Sequence, residues 1–293
     1  MASFSHDPRQ TTLWTALISP LTTTGELDLA ALKALLREQE AAGNGVLLLG
    51  STGEGANLTL RERQQVLEHA CRLDLAVPIM VGVGGLDLVS QLEWLAYCET
   101  LPVAAYLLVT PIYAKPGAQG QQRWFAALMD AVNKPCMLYN IPSRAGVPLS
   151  DVALAGLIEH PNCWAVKESG GNAARFAELK AAFPSVAWYS GDDVLFAEHA
   201  KLGAAGLVSV ASNVWPQQVA SWVVQGLAGE TIGDLLRSAS ETLFLAANPI
   251  PAKAIMHHQG RIASNTLRLP LCADDLVSLA PILAKDREVA ALS

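Results

Sequence analysis

Short apolar runs alternate with longer amphipathic segments along the first 212 residues of the chain. The apolar runs are about five to eight residues long and end in Gly, Ser, Thr or Pro, a pattern typical of buried strands. Eight strands are predicted, at 13–21, 45–52, 78–85, 104–111, 135–142, 163–169, 186–193 and 203–210. Seven predicted helices separate them, at 28–42, 59–73, 87–99, 119–132, 150–159, 172–182 and 193–201. Asp28, Thr59, Asp87 and Ser150 stand where helix N-caps are expected.

This alternation predicts an α/β fold, a (β/α)8 TIM barrel. Continuous apolar strands covered by helices indicate a parallel sheet that is buried on both faces. Eight repeats of the unit favour a closed barrel over an open sheet of the flavodoxin type, which is the structural alternative. The first strand is followed by no GxGxxG turn, which also counts against a dinucleotide-binding fold.

The chain after residue 212 has a different pattern. Segments 216–228, 232–247, 250–259 and 274–287 have helical periodicity, and no strand pattern returns. We therefore expect a barrel core at 1–212. Residues 213–293 are expected to form the last barrel helix and a C-terminal helical extension, within one structural unit.

Composition and charge exclude several classes of function. The chain has 293 residues, 51% of them hydrophobic, and a net charge of −7 without a Lys/Arg cluster, which speaks against a nucleic-acid partner. No apolar run is long enough to span a membrane, and residues 1–10 lack the pattern of a secretory signal. The five cysteines form no CxxC pair and are expected to be reduced thiols of a cytoplasmic protein. The histidines have no second ligand at metal spacing, so no metal site is expected.

Polar side chains collect at the C-terminal ends of the predicted strands, where barrel enzymes hold their active sites. They are Ser51, Thr52, Glu54, Thr110, Tyr113, Lys115, Tyr139, Asn140, Arg144, Lys167, Asp192, Asp193 and Ser209. Each alone has a plain structural explanation, such as a turn or a helix cap. Their convergence on one face of the barrel predicts an active site.

Lys167 ends the sixth predicted strand and is followed by Glu168, Ser169 and two glycines. A lysine that only ends a strand is the commoner explanation of an isolated VKE triplet. At the mouth of a barrel, however, partial desolvation favours the neutral amine, which can attack a ketone to form an imine. Nearby tyrosine and hydroxyl groups can relay the protons that this reaction moves, while an arginine can hold a carboxylate.

Seven segments carry a family resemblance: GSTGE (50–54), TPIYAKP (110–116), YNIPSRAG (139–146), VKES (166–169), SGDD (190–193), GAAGLVSV (203–210) and NPIPAK (248–253). In these segments the chain resembles the pyruvate-dependent class I aldolases, the family that includes dihydrodipicolinate synthase and N-acetylneuraminate lyase. The segments run through almost the whole chain in family order. The resemblance implies a Schiff-base lyase with small-molecule substrates and no cofactor beyond a covalent imine with pyruvate. It also implies a homotetramer built from dimers.

The resemblance assigns roles residue by residue. Lys167 is implied to be the Schiff-base lysine, and Tyr139 the tyrosine that shuttles protons. Ser51 stands where the synthases usually have a relay threonine, and Thr52 matches the residue that binds the pyruvate carboxylate. Tyr113 resembles a relay tyrosine that reaches in from the neighbouring subunit.

Three further positions concern the substrates. Val208 falls at an apolar pyruvate-contact position, and Gly191 at the backbone position beside it. Arg144 resembles the arginine that holds the carboxylate of aspartate semialdehyde in the synthases and is missing from sialic acid lyases. Ser51, by contrast, is more typical of the lyases and sugar-acid aldolases.

We therefore expect the chain to condense pyruvate with L-aspartate 4-semialdehyde, a step of diaminopimelate and lysine biosynthesis. One alternative is an aldolase of the same family acting on a 2-keto-3-deoxy sugar acid or N-acetylneuraminate. Another is a non-catalytic paralogue that binds a keto acid.

Inhibition by lysine is expected to be weak or absent. Lysine-inhibited members carry His, Asn, Glu and Tyr side chains near the dimer interface. The corresponding positions here hold Leu60, Arg63, Leu86, Ser90 and Ile112, which offer little to a cationic amino acid.

Overall fold

Eight parallel strands close into a barrel in the computed structural model of the protein, which describes residues 7–292. Residues 1–6 of the N-terminal stretch considered for a secretory signal lie outside the described residues, as does residue 293. Each strand pairs with the next in chain order, and the first pairs with the last. The predicted (β/α)8 barrel is therefore confirmed, and the open flavodoxin-type sheet is wrong.

The strands are shorter than the apolar runs that predicted them, because the polar ends of the runs form loops. They are β1 Leu13–Ala16, β2 Gly45–Leu48, β3 Ile79–Val83, β4 Ala105–Val109, β5 Cys136–Asn140, β6 Cys163–Glu168, β7 Ala187–Ser190 and β8 Gly206–Ser209.

The helices surround the barrel and continue beyond it. They are α1 Leu29–Ala41, α2 Leu60–Cys71, α3 Leu88–Glu99, α4 Ala118–Asp130, α5 Pro142–Ala145, α6 Asp151–Ala155, α7 Ala173–Ala182, α8 Phe196–Lys201, α9 Pro216–Leu227, α10 Leu235–Thr242, α11 Ile250–His258 and α12 Ala280–Ala290. Short 3-10 helices lie at Pro8–Gln10, Asp193–Leu195, Ala211–Asn213 and Ala273–Asp275. The predicted helices differ from these in several places. The short α5 was missed, and α12 begins at Ala280 instead of residue 274, since a 3-10 turn occupies the first part of that segment.

Three of the four predicted N-cap residues form capping hydrogen bonds through their side chains. Thr59 forms a capping box with Glu62, in which each residue's backbone N–H donates to the other's side chain. Asp28 accepts from the N–H of Ala31 at 2.9 Å, and Asp87 caps α3 in the same way. Ser150 stands at the N-cap of α6, but its side chain makes no capping bond.

Alternation along the strands separates an inner apolar cluster from an outer one that packs under the helices. The inner cluster contains Trp14, Ala16, Leu47, Met80, Ala105, Leu107, Met137, Tyr139, Ile141, Ala165, Tyr189 and Val208. In β6, Ala165 belongs to this inner cluster and Val166 to the outer one. Because side chains alternate along a strand, Lys167 faces the barrel interior.

The C-terminal helices join the barrel through buried polar contacts. Lys253 in α11 forms an ion pair with Glu54, which follows β2, and both side chains are completely buried. Lys253 Nζ also donates to the carbonyl of Thr266 at 2.9 Å, and the N–H of Arg268 donates to Glu54 Oε2 at 2.7 Å. The loop after β2 is thus anchored to the C-terminal part of the chain.

Candidate active site

Lys167 lies at the C-terminal end of β6 with only 5% of its surface exposed. Its register partner on β5 is Tyr139, and its Nζ lies 4.0 Å from the centroid of the Tyr139 ring. This cation–π distance places the amine directly against the tyrosine. Two residues implied to act together are therefore neighbours in the barrel interior.

Gly191, which follows β7, packs against the lysine side chain. A Cβ at this position would come within 2.6 Å of Lys167 Cε and would collide with Ser169 Oγ. The position therefore requires glycine if Lys167 is to keep its place. The N–H of Gly191 donates to the carbonyl of Glu168 at 2.7 Å, which holds the two strand ends together.

Ser169 contributes a further hydroxyl, which is not among the predicted site residues. Its Oγ is buried and has no hydrogen-bond partner within the part of the chain that the structure describes. Because a Cβ at Gly191 would strike both Ser169 and Lys167, this hydroxyl lies next to the lysine. The only sequence signal was its place in the VKES segment.

Two carboxylates follow β7 and differ in role. Burial raises the pKa of Asp192, while the charge of Lys167 and the N–H of Gly171 lower it. Burial also raises the pKa of Asp193, whose carboxylate accepts from the Ser209 hydroxyl and from the N–H of Val210 at 2.8 Å. Asp193 therefore ties β7 to the end of β8, and Asp192 is an acidic neighbour of Lys167.

The turn after β2 carries Ser51 and the buried Thr52. Asn248, which precedes α11, donates from Nδ2 to Thr52 Oγ1 at 2.9 Å. The carbonyl of Asn248 accepts from Arg144 at 3.2 Å. Asn248 thus connects two of the predicted substrate-binding residues. In the sequence it stands out only as the first residue of the NPIPAK segment.

A cavity of about 330 Å³ opens at the C-terminal end of the barrel. Its lining residues are Leu49, Gly50, Ser51, Gly55, Ala56, Arg63, Gly82, Val83, Gly84, Gly85, Leu107, Val109, Ile112, Tyr139, Ile141 and Arg144. The structure therefore brings Ser51, Tyr139 and Arg144 to one cavity, which Tyr139 joins to Lys167.

Two predicted site residues, Val208 and Tyr113, do not line this cavity. Val208 is fully buried in the inner apolar cluster of the barrel. Tyr113, on the loop after β4, is 87% exposed and does not line the cavity. Its φ of 66° lies in the left-handed region, which bulky residues seldom adopt. Within one chain, Tyr113 does not join the other predicted residues.

The residues that the structure describes give no support for a metal-dependent or a thiol-dependent reaction. Among residues 7–292, no group of three His, Cys, Asp or Glu side chains is placed to hold a metal ion. All five cysteines are unpaired. Burial raises the pKa of the Cys163 thiol to about 12, which leaves it unreactive. No helix within this range is both long and apolar enough to cross a membrane.

Known proteins are similar to this chain in sequence and in fold. The model of the dihydrodipicolinate synthetase family matches residues 9–277. The 4-hydroxy-tetrahydrodipicolinate synthase of Francisella tularensis subsp. novicida is 46% identical over 277 residues, which cover 94% of each chain. The structure of the 4-hydroxy-tetrahydrodipicolinate synthase from Methylacidiphilum fumariolicum SolV superposes with a TM-score of 0.90 at 31% identity, over 96% of this chain and 97% of that one. The chloride inhibited dihydrodipicolinate synthase from Acinetobacter baumannii, complexed with pyruvate, gives a TM-score of 0.90 at 30% identity, over 96% and 99%. The resemblance found in the sequence is confirmed, and the chain belongs to the dihydrodipicolinate synthetase family.

Proposed function

We propose that the protein condenses pyruvate with L-aspartate 4-semialdehyde to 4-hydroxy-tetrahydrodipicolinate through an imine on Lys167. Its relatives across most of the chain are named as synthases of this product, which favours the condensation over the sugar-acid or sialic-acid alternative. The observation that carries the proposal is the buried Lys167 amine, 4.0 Å from the centre of the Tyr139 ring at the catalytic end of the barrel.

In the first step, Lys167 Nζ attacks the ketone carbon of pyruvate and forms the C–N bond. The ketone oxygen leaves as water after protons reach it through the hydroxyl of Tyr139. Ser51, on the same cavity, supplies the next hydroxyl of the relay. Tyr113 supplies another from a second copy of the chain.

The second step forms the carbon–carbon bond. The iminium withdraws electrons, so the methyl carbon of pyruvate loses a proton to the hydroxyl relay and an enamine forms. The enamine attacks the aldehyde carbon of the semialdehyde, whose oxygen takes up a proton from the relay while the iminium re-forms. The amino group of the semialdehyde then attacks the iminium carbon, which closes the ring and releases Lys167. No metal or redox group takes part in this sequence, and the intermediates stay bonded to Lys167 Nζ until the ring closes.

Two residues, Thr52 and Arg144, hold the substrate carboxylates. Because Thr52 Oγ1 already accepts from Asn248, its own proton is free to donate to the pyruvate carboxylate. Gly191 and Val208 contact the bound keto acid. Arg144 holds the carboxylate of the semialdehyde through its guanidinium.

The assembly is proposed to be a homotetramer of dimers, in the cytoplasm. The exposure of Tyr113 supports a dimer in which this side chain completes the neighbour's relay. The unpaired cysteines support a reducing compartment. The buried Glu54–Lys253 pair supports treating residues 1–212 and 213–293 as one structural unit.

Borohydride reduction in the presence of pyruvate tests the chemistry. Peptide mass analysis is expected to find one reduced pyruvate on Lys167, and none in Lys167→Arg, which keeps the charge. Pyruvate is then offered with aspartate semialdehyde or with sugar aldehydes. An unmodified Lys167 contradicts the imine, and turnover with sugars alone contradicts the proposed second substrate.

A further inference from the structure

Ser169 follows β6 directly and stands two residues beyond Lys167. Its N–H donates to the carbonyl of Asn140 at 2.9 Å, so the pairing of β6 with β5 continues through this residue. Glu168, between the two, turns away from the barrel interior. Its carboxylate accepts from Asn140 Nδ2 at 2.6 Å and lines a separate pocket at the start of α7. Since side chains alternate along a strand, Ser169 faces the interior, as Lys167 does.

The hydroxyl of Ser169 lies beside the Lys167 side chain. A Cβ at Gly191 would meet Ser169 Oγ together with Lys167 Cε and Cγ, so these atoms border one small volume that glycine leaves open. Ser169 is 7% exposed, and its Oγ has no hydrogen-bond partner among residues 7–292. A buried hydroxyl is costly unless a hydrogen bond is supplied to it. This hydroxyl therefore suits a polar group of a substrate that is bound at Lys167.

The keto acid bound at Lys167 presents its methyl carbon on this side of the barrel. Thr52, proposed to hold the pyruvate carboxylate, follows β2, which lies opposite β6 in the ring of eight strands. Pyruvate has three carbons, and its middle carbon is bonded to Lys167 Nζ. When the carboxylate points towards Thr52, the methyl carbon therefore points towards the ends of β6 and β7, where Ser169 and Gly191 lie.

The aldehyde of the second substrate reaches the same level of the barrel. It must approach the enamine carbon, which is the former methyl carbon, from the C-terminal end of the strands. Ser169 lies closer to that end than Lys167, because β6 runs towards it. An aldehyde in contact with the enamine carbon therefore lies at the level of Ser169 Oγ. Its oxygen is the atom on which negative charge develops as the carbon–carbon bond forms.

We propose that Ser169 is a further catalytic residue, whose hydroxyl donates a hydrogen bond to the aldehyde oxygen of the second substrate. As the enamine carbon bonds to the aldehyde carbon, an electron pair of the C=O bond moves onto oxygen, and the nitrogen lone pair of the enamine re-forms the iminium. The hydrogen bond from Ser169 stabilises this oxygen while the hydroxyl relay delivers its proton. The inference rests on the proposed function, from which it takes the enamine on Lys167 and the carboxylate at Thr52.

Ser169→Ala separates the two halves of the reaction. Exchange of the pyruvate methyl protons in deuterated water, followed by NMR without any aldehyde, measures enamine formation and should match the parent protein. Condensation with L-aspartate 4-semialdehyde should lose about tenfold or more in kcat/KM, because a donor to a developing oxyanion is removed. Ser185→Ala, at an exposed position between α7 and β7, is the matched control and should keep both rates.

Two further measurements identify the contact. Succinate semialdehyde has the same aldehyde without the amino group, and its addition is followed by the mass left on Lys167 after a borohydride quench. Ser169→Ala should slow this addition as much as it slows the addition of aspartate semialdehyde. Ser169→Cys fills a similar space with a weak donor, and its condensation rate should stay well below that of the parent protein.

Three results would overturn the inference. Full condensation activity in Ser169→Ala or Ser169→Cys would show that no hydrogen bond is needed. Equal losses of proton exchange and condensation would mean that Ser169 acts on Lys167 or pyruvate. Slowing with aspartate semialdehyde alone would assign the hydroxyl to the amino group.

The parent protein tests the proposed function separately. If it forms the imine but condenses pyruvate only with sugar aldehydes, the proposed second substrate is wrong. The comparison of proton exchange with condensation, made with the accepted sugar aldehyde, then still decides the role of Ser169. A parent protein that forms no imine on Lys167 contradicts both the proposed function and the role of Ser169.

Discussion

Asn248 donates a hydrogen bond to Thr52 across 196 positions of the sequence. Its carbonyl also accepts from Arg144, so one residue orients the hydroxyl proposed to bind pyruvate and the guanidinium proposed to bind the semialdehyde. Because Asn248 precedes α11, the C-terminal part of the chain takes part in arranging the site.

Asn248→Ala is expected to raise the KM for pyruvate roughly tenfold, since one oriented hydrogen bond is worth about 1 kcal/mol and the Thr52 hydroxyl also loses its fixed direction. Borohydride should still trap pyruvate on Lys167, but only at higher pyruvate concentrations. Steady-state kinetics with each substrate varied measure the effect. Asn133→Ala, at an exposed position, is the control. An unchanged KM for pyruvate would show that pyruvate binding does not need the hydrogen bond from Asn248 to Thr52.

The apolar runs predicted that Lys167 ends the sixth strand, because the length of a run and a count of strands are local properties of sequence. The lysine lies at the end of β6, and the alternation of side chains along that strand turns it towards the barrel interior. The contacts of Asn248 and Glu54 were not predicted. Each of these contacts joins segments that are far apart in the chain, and a local sequence pattern does not encode which polar groups form such contacts.

The short helix α5 was missed for a related reason. It begins at Pro142, one residue after β5 ends, and its four residues are too few for a helical period to show in the sequence. Tyr113 shows a further limit. The role proposed for it requires a second chain, and in one chain its side chain is exposed.

Breaking the buried Glu54–Lys253 pair should destabilise the fold. Lys253→Met leaves the Glu54 carboxylate buried without its cation, which costs about 3–5 kcal/mol of unfolding free energy. The double variant Glu54→Leu, Lys253→Met should lose less than the sum of the two single variants, because neither charge is left alone. Urea unfolding measures both. If the double variant lost as much unfolding free energy as the two single variants together, Glu54 and Lys253 would not be energetically coupled.

Gly191→Ala should reduce kcat/KM about a hundredfold, because the added methyl carbon would displace Lys167 Cε from its position and small misplacements are costly in catalysis. The Gly233 position has open space and no left-handed backbone, so Gly233→Ala is the matched control. Trapping of pyruvate by borohydride should slow in parallel with the loss of turnover. Full activity in Gly191→Ala would contradict the tight packing at this position.

Lysine should inhibit weakly or not at all. The positions implied to bind it in inhibited relatives include Leu60 and Leu86, whose side chains are exposed and apolar, and the cation Arg63. A second cation next to Arg63 would be repelled, since the described lining of the cavity holds no carboxylate. An assay at saturating pyruvate measures the effect. Half-inhibition at sub-millimolar lysine would refute the prediction.

His199 should make the fold less stable in acid. Its ring is buried, stacks on Phe176 at 4.1 Å between centroids, and contacts Ser190 Oγ through Nδ1 at 2.8 Å. Ser190 already donates to the carbonyl of Asp192, so Nδ1 carries the proton. Nε2 is buried and has no hydrogen-bond partner among residues 7–292. Burial accordingly lowers the pKa of His199 from 6.5 to about 4.

Between these two pKa values the unfolded chain binds a proton that the folded chain does not, so stability is full above pH 6.5 and falls as the pH drops towards 4. The loss amounts to roughly 3 kcal/mol, at about 1.4 kcal/mol per pH unit. His199→Phe should flatten this part of the profile, measured by urea unfolding from pH 7 down to pH 4. His258→Gln, at an exposed position, is the control. An unchanged slope in His199→Phe would assign the acid sensitivity to other groups.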